Sequence, residues 1–597
     1  MMMKIDLDKA ENNYFRGNLG AVYSPEKTLF RLWQPFAEKA FLRLYDANDE
    51  LVSSLEMKRN KGVFELEIGG DLAGVMYDFA ALENGEQREF SDCYSRLLDK
   101  TAKRGIVTDM RKNAPEGWEQ DKPITADVPV IYELSVRDFS MDESADFKNR
   151  GKFSAFCEKN VKNKYGDPCG LEYIKSLGVT HIQLMPVFDF DSDGHEYNWG
   201  YNPRFFNAPS GYYSQENAVL ELSELVLSAH KMGLGVIADV VYNHVYDAGN
   251  SSFERQLSGY FFRGDKEFSN GSGCGNEFAS ERNMARKFIL DSVEFLAREY
   301  HLDGFRFDLM GLLDIETMRQ IERSLRKINP SILLYGEGWT GGLSPLSEQL
   351  RAVQKNARML SGIAFFNDSF RDAVRGSVFN VNDRGFISGD ERKAEPILRA
   401  ITGNYPDTFW TEDPAQTINY VECHDNHTLF DRLDIALKDT DACEIMRAEK
   451  MAAALLLLSQ GTAFLHAGQE FLRTKNGSSN SYDLPDSINS IKWDMLYENR
   501  ELVEYYRGLT AFRKRFLGEL RGGEAEEING GFVIKNNGFV IIINPTNENI
   551  TQDLVQEHEV FIDEKSASDS PLYTSKRLCC AGYGVLTARC KTVEEGN

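Results

Sequence analysis

At 597 residues the chain is too long for one ordinary domain, and the usual span of roughly 100–200 residues per domain predicts three or four. Hydrophobic residues make up 42% and aromatics 12%, enough to bury a large core, which excludes an intrinsically disordered chain. A net charge of −24 with no Lys/Arg-rich stripe to offset it argues against a nucleic-acid partner and leaves a neutral or cationic substrate.

The start, Met1 to Asp8, is acidic where a secretory leader is basic, and no apolar stretch follows it, so a cytoplasmic protein is expected. From 14 to 95 the short segments TLFRLWQ, FLRLYD, VFELEI and MYDFAAL are strand-like. In the third, Phe64, Leu66 and Ile68 alternate with Glu65 and Glu67, giving one buried and one wet face of a β-sandwich. Residues 96–127, polar and broken by Pro115-Glu-Gly, are expected to be a linker.

From 128 to 504 apolar β-type runs alternate with helical stretches. The runs are 130–136, 180–186, 234–241, 302–308, 332–338, 362–368, 417–425 and 461–468. Between them lie helices such as Val219 to Met232, closed by Gly233, and Glu281 to Tyr300. Eight βα units predict an α/β fold, a closed (β/α)8 TIM barrel. The longest apolar run, Met451 to Leu458, falls far short of the ~20 residues of a membrane span and reads as a buried helix, so no membrane partner is expected. Residues 505–597 lose the helical alternation. There, GGFVIKNNGFVIIIN reads as a hairpin about Asn537-Gly538 in a C-terminal antiparallel β-domain. The nine cysteines, without CxxC spacing, read as reduced thiols.

A barrel carries its active site at the C-terminal ends of its strands, so charge there is a functional signal. Four ends stand out: DVVYNH (Asp239 to His244), GFRFD (Gly304 to Asp308), YGEGW (Tyr335 to Trp339) and ECHDN (Glu422 to Asn426). In GFRFD the period of two puts Arg306 and Asp308 inward and Phe305 and Phe307 outward. An arginine beside Asp308 favours its charged form, poising it as an anionic nucleophile. Glu337 lies between Gly336 and Gly338, which leave backbone room for a ligand, and beside Trp339, an apolar wall. Desolvation there raises a carboxyl pKa, as a proton donor requires. Two carboxylates in opposed environments are the apparatus of glycoside cleavage, and retention requires them about 5–5.5 Å apart.

Asp425, with His424 and Asn426, can stabilise an oxocarbenium-like transition state and bind hydroxyls. His244 with Asn243 is a further contact. The loop YNWGYN supplies Trp199 and Tyr201 as aromatic surfaces for pyranose rings. DFDSDG (Asp189 to Gly194) opens like a calcium loop, but Gly200 stands where that loop needs Glu, so no metal site is expected there.

The four strand ends, in this order, resemble the conserved regions of the α-amylase family. YNWGYN, the stretch GNEFASERNMARKFILDSVEFLAREYHLDGFRFDLMG and the later EFLRTKNGSSNSYDLPDSINSIKWD resemble the type I pullulanases within it. The resemblance implies endo-acting hydrolysis of α-1,6-glucosidic linkages in pullulan, amylopectin, glycogen and limit dextrins. It makes Asp308 the nucleophile, Glu337 the general acid/base and Asp425 the transition-state stabiliser. Arg306 would orient the nucleophile, His244 and His424 would hold hydroxyls, and Tyr201 would stack on the sugar. Trp199, Trp339 and Asn426 complete the expected substrate contacts.

The N-terminal sandwich is similar to family 48 starch-binding modules, with Trp33 either core or sugar platform. No cofactor is required, calcium is the one ion the resemblance allows, and a monomer acting on branched α-glucan is expected. The alternatives are an isoamylase-like or α-1,4-acting relative, or a silent glucan-binding barrel. The silent barrel would be expected to have lost a carboxylate.

Overall fold

The computed structural model describes residues 5–438 and 440–591. Eight parallel strands close a barrel in chain order: β1 (Val130–Leu134), β2 (His181–Leu184), β3 (Gly235–Val240), β4 (Gly304–Phe307), β5 (Leu333–Gly336), β6 (Ala364–Phe366), β7 (Thr417–Asn419) and β8 (Thr462–His466). Each lies inside one of the eight apolar runs, and β1 pairs with β8 to complete the ring. Inward positions such as Ile131, Ile237, Tyr335, Ile418 and Phe464 fill the bore. Phe305 and Phe307 point outward into the helix layer, where both are fully buried. The two expected helices form at Ala218–Lys231 and Asn283–Glu299. The apolar run 451–458 is the buried end of the helix Ala442–Leu458.

The N-terminal module is two antiparallel sheets enclosing a core of Phe30, Leu32, Phe64 and Phe79. The alternation of Phe64, Leu66 and Ile68 is realised: Phe64 is buried, and Leu66 and Ile68 pack against the same core. Trp33 is core. It is 1% exposed, its indole donates to the Asn13 carbonyl at 2.9 Å, and its ring packs against Tyr260 of the barrel. A platform for sugar is therefore excluded at this residue.

The 96–127 stretch is packed rather than a free spacer. Gly105–Ile106 pairs with the strand Met76–Glu83, Val107 enters the module core, and Trp118 stacks on His301 at 4.0 Å. Polar composition concealed this because the apolar residues are few, in short groups such as Leu97-Leu98 and Ile106-Val107 with no sustained period.

The C-terminal six-stranded sheet runs from Glu524 to Cys590. Asn537 and Gly538 both have positive φ, 46° and 81°, as a type I′ hairpin turn requires. The expected boundary at 504/505 falls inside a helix, Arg500–Phe516, whose apolar face (Leu502, Tyr506, Leu509, Phe516) continues the barrel core. A 3.6-residue period is the sequence signal for it.

Candidate active site

Arg306 is the hub. Lying on β4 and 2% exposed, it reaches Asp239 at 3.0 Å and Asp308 at 2.8 Å through Nη1, and Glu337 at 2.8 Å through Nη2. One guanidinium thus joins the Asp308 and Glu337 carboxyls, which favours the short spacing of retaining enzymes over the wider gap that inverting ones keep for water. The sequence placed Arg306 against Asp308 alone. Arg306 also touches Glu337, where its pull toward the charged form is opposed by burial first and then by the charges of Asp308 and Asp425. Burial is the largest influence on Glu337 and lifts its pKa to about 7, against the pull of Arg306.

Local backbone fixes the pair. Leu309, next to Asp308, sits at φ 39°, a left-handed conformation costly for a bulky residue, and its N–H donates to Glu337 Oε2 at 2.9 Å. Asn243 Nδ2 donates to Asp308 Oδ2 at 2.7 Å, and its own Oδ1 meets His244 Nδ1 at 2.7 Å. The glycines flanking Glu337 serve the scaffold instead of the ligand. A Cβ on Gly336 would lie 2.5 Å from the Phe307 carbonyl oxygen, and one on Gly338 would lie 2.7 Å from the Gln354 nitrogen.

The remaining candidates divide between two compartments. One cleft of about 480 Å³ is lined by Arg306, Glu337, Trp339, His424, Asp425 and Asn426. In it Asp425 is open, its side chain 49% exposed, with His424 Nε2 at 3.8 Å. A second compartment of about 370 Å³ is lined by Trp199, Tyr201, His244 and Tyr482. Here His244 is buried and its Nε2 has no partner among the described residues, leaving a valence for a ligand. Burial also lowers its pKa, so the ring is neutral. Trp199 is only 6% exposed and packs with Met185 and Tyr197, so it offers this compartment an edge rather than a platform. Tyr201 turns its face to His424, with centroids 5.0 Å apart, while its hydroxyl donates to Asp239 at 2.7 Å.

Two residues escaped sequence reading. Glu133, on β1, is 1% exposed and accepts from both the backbone N–H and Nδ1 of His424, at 2.8 and 2.7 Å. Burial opposes a charge on His424, but Glu133 outweighs it and raises the imidazole pKa to about 9. Lys475 donates to the His424 carbonyl at 2.7 Å. Glu133 carried a usable signal, a lone carboxylate in an otherwise apolar barrel strand. Lys475 lies in a loop and had none. At DFDSDG, Arg204 occupies the acidic groups, reaching Asp189 at 2.9 and 3.0 Å and Asp191 at 3.2 Å.

Fold and site together define the class: a barrel glycoside hydrolase built around a clamped carboxylate pair. Residues 18–95 match carbohydrate-binding module 48 (isoamylase N-terminal domain), and residues 159–272 match the alpha amylase catalytic domain. The chain is 41% identical over 520 residues to the pullulanase of Bacillus subtilis (strain 168), covering 84% of this chain and 72% of that one. It superposes on pullulanase from Bacillus acidopullulyticus with a TM-score of 0.92 and 34% identity, over 97% of this chain and 75% of the other. For pullulanase from Paenibacillus barengoltzii in complex with maltohexaose and alpha-cyclodextrin the TM-score is 0.91 at 37% identity, over 98% and 97%. The chain belongs to the type I pullulanases of the α-amylase family.

Proposed function

We propose that the protein hydrolyses α-1,6-glucosidic branch linkages within pullulan, amylopectin, glycogen and limit dextrins, retaining anomeric configuration. The observation that carries this is the Arg306 clamp on Asp308 and Glu337 in a chain so similar to pullulanases. In the first step an Asp308 oxygen attacks the anomeric carbon as the glycosidic bond breaks, and the protonated Glu337 gives its proton to the departing oxygen. In the second, Glu337 takes a proton from water, the resulting nucleophile attacks the anomeric carbon, and Asp308 leaves as carboxylate.

Asp425 places negative charge beside the oxocarbenium-like transition state, and His424, held by Glu133, meets the sugar hydroxyls. His244, Tyr201 and Trp199 contact the sugar from one side, Trp339 and Asn426 from the other. No step uses an organic cofactor. Calcium has no group of three or more His, Cys, Asp or Glu ligands among the described residues, and no step is routed through it.

A cytoplasmic location is proposed on the support of nine cysteines that are all unpaired, as in a reducing compartment, and a monomer is proposed with it. Cell fractionation and light scattering test those two points. For the chemistry the test is a pullulan digest: maltotriose as sole product is expected, whereas panose or no cleavage would refute the reading.

A further inference from the structure

Asp425 is held in the catalytic cleft by its backbone rather than by its side chain. The carboxylate is half exposed, and its charged contact among the described residues, His424 Nε2, lies at 3.8 Å, beyond hydrogen-bond distance. Its aim is therefore set by the turn after β7, where Asn426 takes the left-handed conformation at φ 64°. That turn is pinned from several sides. Arg375 donates to the Val421 carbonyl at 3.0 Å and to the His427 carbonyl at 2.7 Å, one on either side of Asp425. Between them, Glu133 accepts the His424 N–H, and Lys475 Nζ donates at 2.7 Å to the His424 carbonyl, which belongs to the peptide joining His424 to Asp425.

Lys475 is 1% exposed and lines neither the cleft nor the second compartment. Its own backbone N–H is anchored on Asp431 Oδ2 at 2.8 Å, and its ammonium lies 5.0 Å from the centre of the Trp199 ring. Burial first, and the charge of Arg473 second, bring its pKa down to about 8 against the pull of Asp138 and Glu133, so at neutral pH it is still a cation. Burying an ammonium is costly, and a neutral donor could bridge to one carbonyl at lower cost. What the charge adds is a stronger hold on that peptide.

We propose that Lys475 is a positioning residue for catalysis: by gripping the His424 carbonyl it fixes the peptide that aims Asp425 at the sugar being cleaved. It touches no substrate and acts through Asp425, so the assignment rests on the role given to Asp425 above. A double-mutant cycle on the intact enzyme tests it, with pullulan as substrate. Lys475→Met keeps an apolar stem against Trp199 and loses the donor. Its kcat should fall about 10–100-fold, the effect of a displacement near 1 Å, with KM changed less than about twofold. Asp425→Asn should cost on the order of 10²–10³-fold, and in that background Lys475→Met should cost less than about twofold more. Lys475→Gln, polar and uncharged, should lose less than the methionine variant and show the same dependence on Asp425, which keeps the cycle available if the methionine variant does not fold.

Equal losses with and without Asp425 would overturn the proposal, because Lys475 would then serve the fold as a whole. So would a raised KM at unchanged kcat, which would assign Lys475 to the Trp199 compartment, and so would wild-type kcat in both Lys475 variants. Full activity in Asp425→Asn would instead refute the role of Asp425 itself, whatever the Lys475 variants do, and the proposal would fall with it.

Discussion

Two charged clusters close the two ends of one barrel, and they are built from the same materials to opposite effect. At the C-terminal end Arg306 gathers Asp239, Asp308 and Glu337. At the N-terminal end His230 bridges Asp121 and Asp303, both at 2.8 Å, and His301 adds a second contact to Asp121 at 2.9 Å. In the second cluster every buried polar atom among these residues has a partner, and Asp303 also accepts the N–H groups of Ile124 and Val236. In the first, Arg306 Nε and His244 Nε2 have none among the described residues, and Glu337 opens to a cleft. A saturated network is a lock, and an unsaturated one beside a cavity is a site.

The largest effect should separate the two ends on activity. Asp308→Asn should lower kcat on pullulan by on the order of 10⁴-fold or more while leaving the melting temperature within a few degrees. Wild-type turnover in that variant would remove Asp308 as nucleophile. Glu337→Gln should cost about 10²–10⁴-fold. Because the acid must be protonated and its pKa is about 7, wild-type kcat/KM should fall as pH rises through 7, and that limb should vanish in the variant. A pH profile unchanged by the substitution would assign the limb to another group.

At the opposite end the expected effects are on stability. His230→Gln should cost about 3–5 kcal/mol by leaving two buried carboxylates without their cation, with kcat unchanged. Burial opposes the His230 charge, but Asp121 and Asp303 outweigh it and raise its pKa from 6.5 to about 9. Its stabilisation is therefore fully present below about 6.5 and lost as pH rises through 9. Denaturant midpoints of wild type and variant should converge above pH 9, and a constant gap would exclude this role.

The smallest expected effect concerns Glu449, buried in the helix Ala442–Leu458 with both carboxyl oxygens lacking partners among the described residues. Burial raises its pKa well above 4.5, so folding holds a proton that the unfolded chain releases. Glu449→Gln should gain roughly 1 kcal/mol at pH 8 and nothing near pH 4, the sign being that of a raised acid. Equal melting temperatures at both pH values would count against it.

Legibility in the sequence followed the range of the interactions. The eight barrel strands were readable because each is a short apolar run between helical stretches, and period-two alternation placed Arg306 and Asp308 inward. The helix Arg500–Phe516 was hidden by a stretch judged on its β-rich sequel. Trp33 had two readings that only its contact with Tyr260, 227 positions away in sequence, could resolve. Glycines beside Glu337 looked like room for a ligand, yet their missing Cβ atoms are needed by Phe307 and Gln354.

By itself the sequence determined the barrel, the carboxylates at its strand ends and the hairpin at Asn537-Gly538, all set by local periodicity and turn chemistry. The tertiary structure decided which charges share Arg306, which compartment each sugar-contacting candidate lines, and that the 96–127 stretch is latched to the barrel base through Asp121. Those are outcomes of burial and of contacts between residues far apart in the chain. Desolvation, which sets the pKa of Glu337, exists only once the surrounding chain has excluded water.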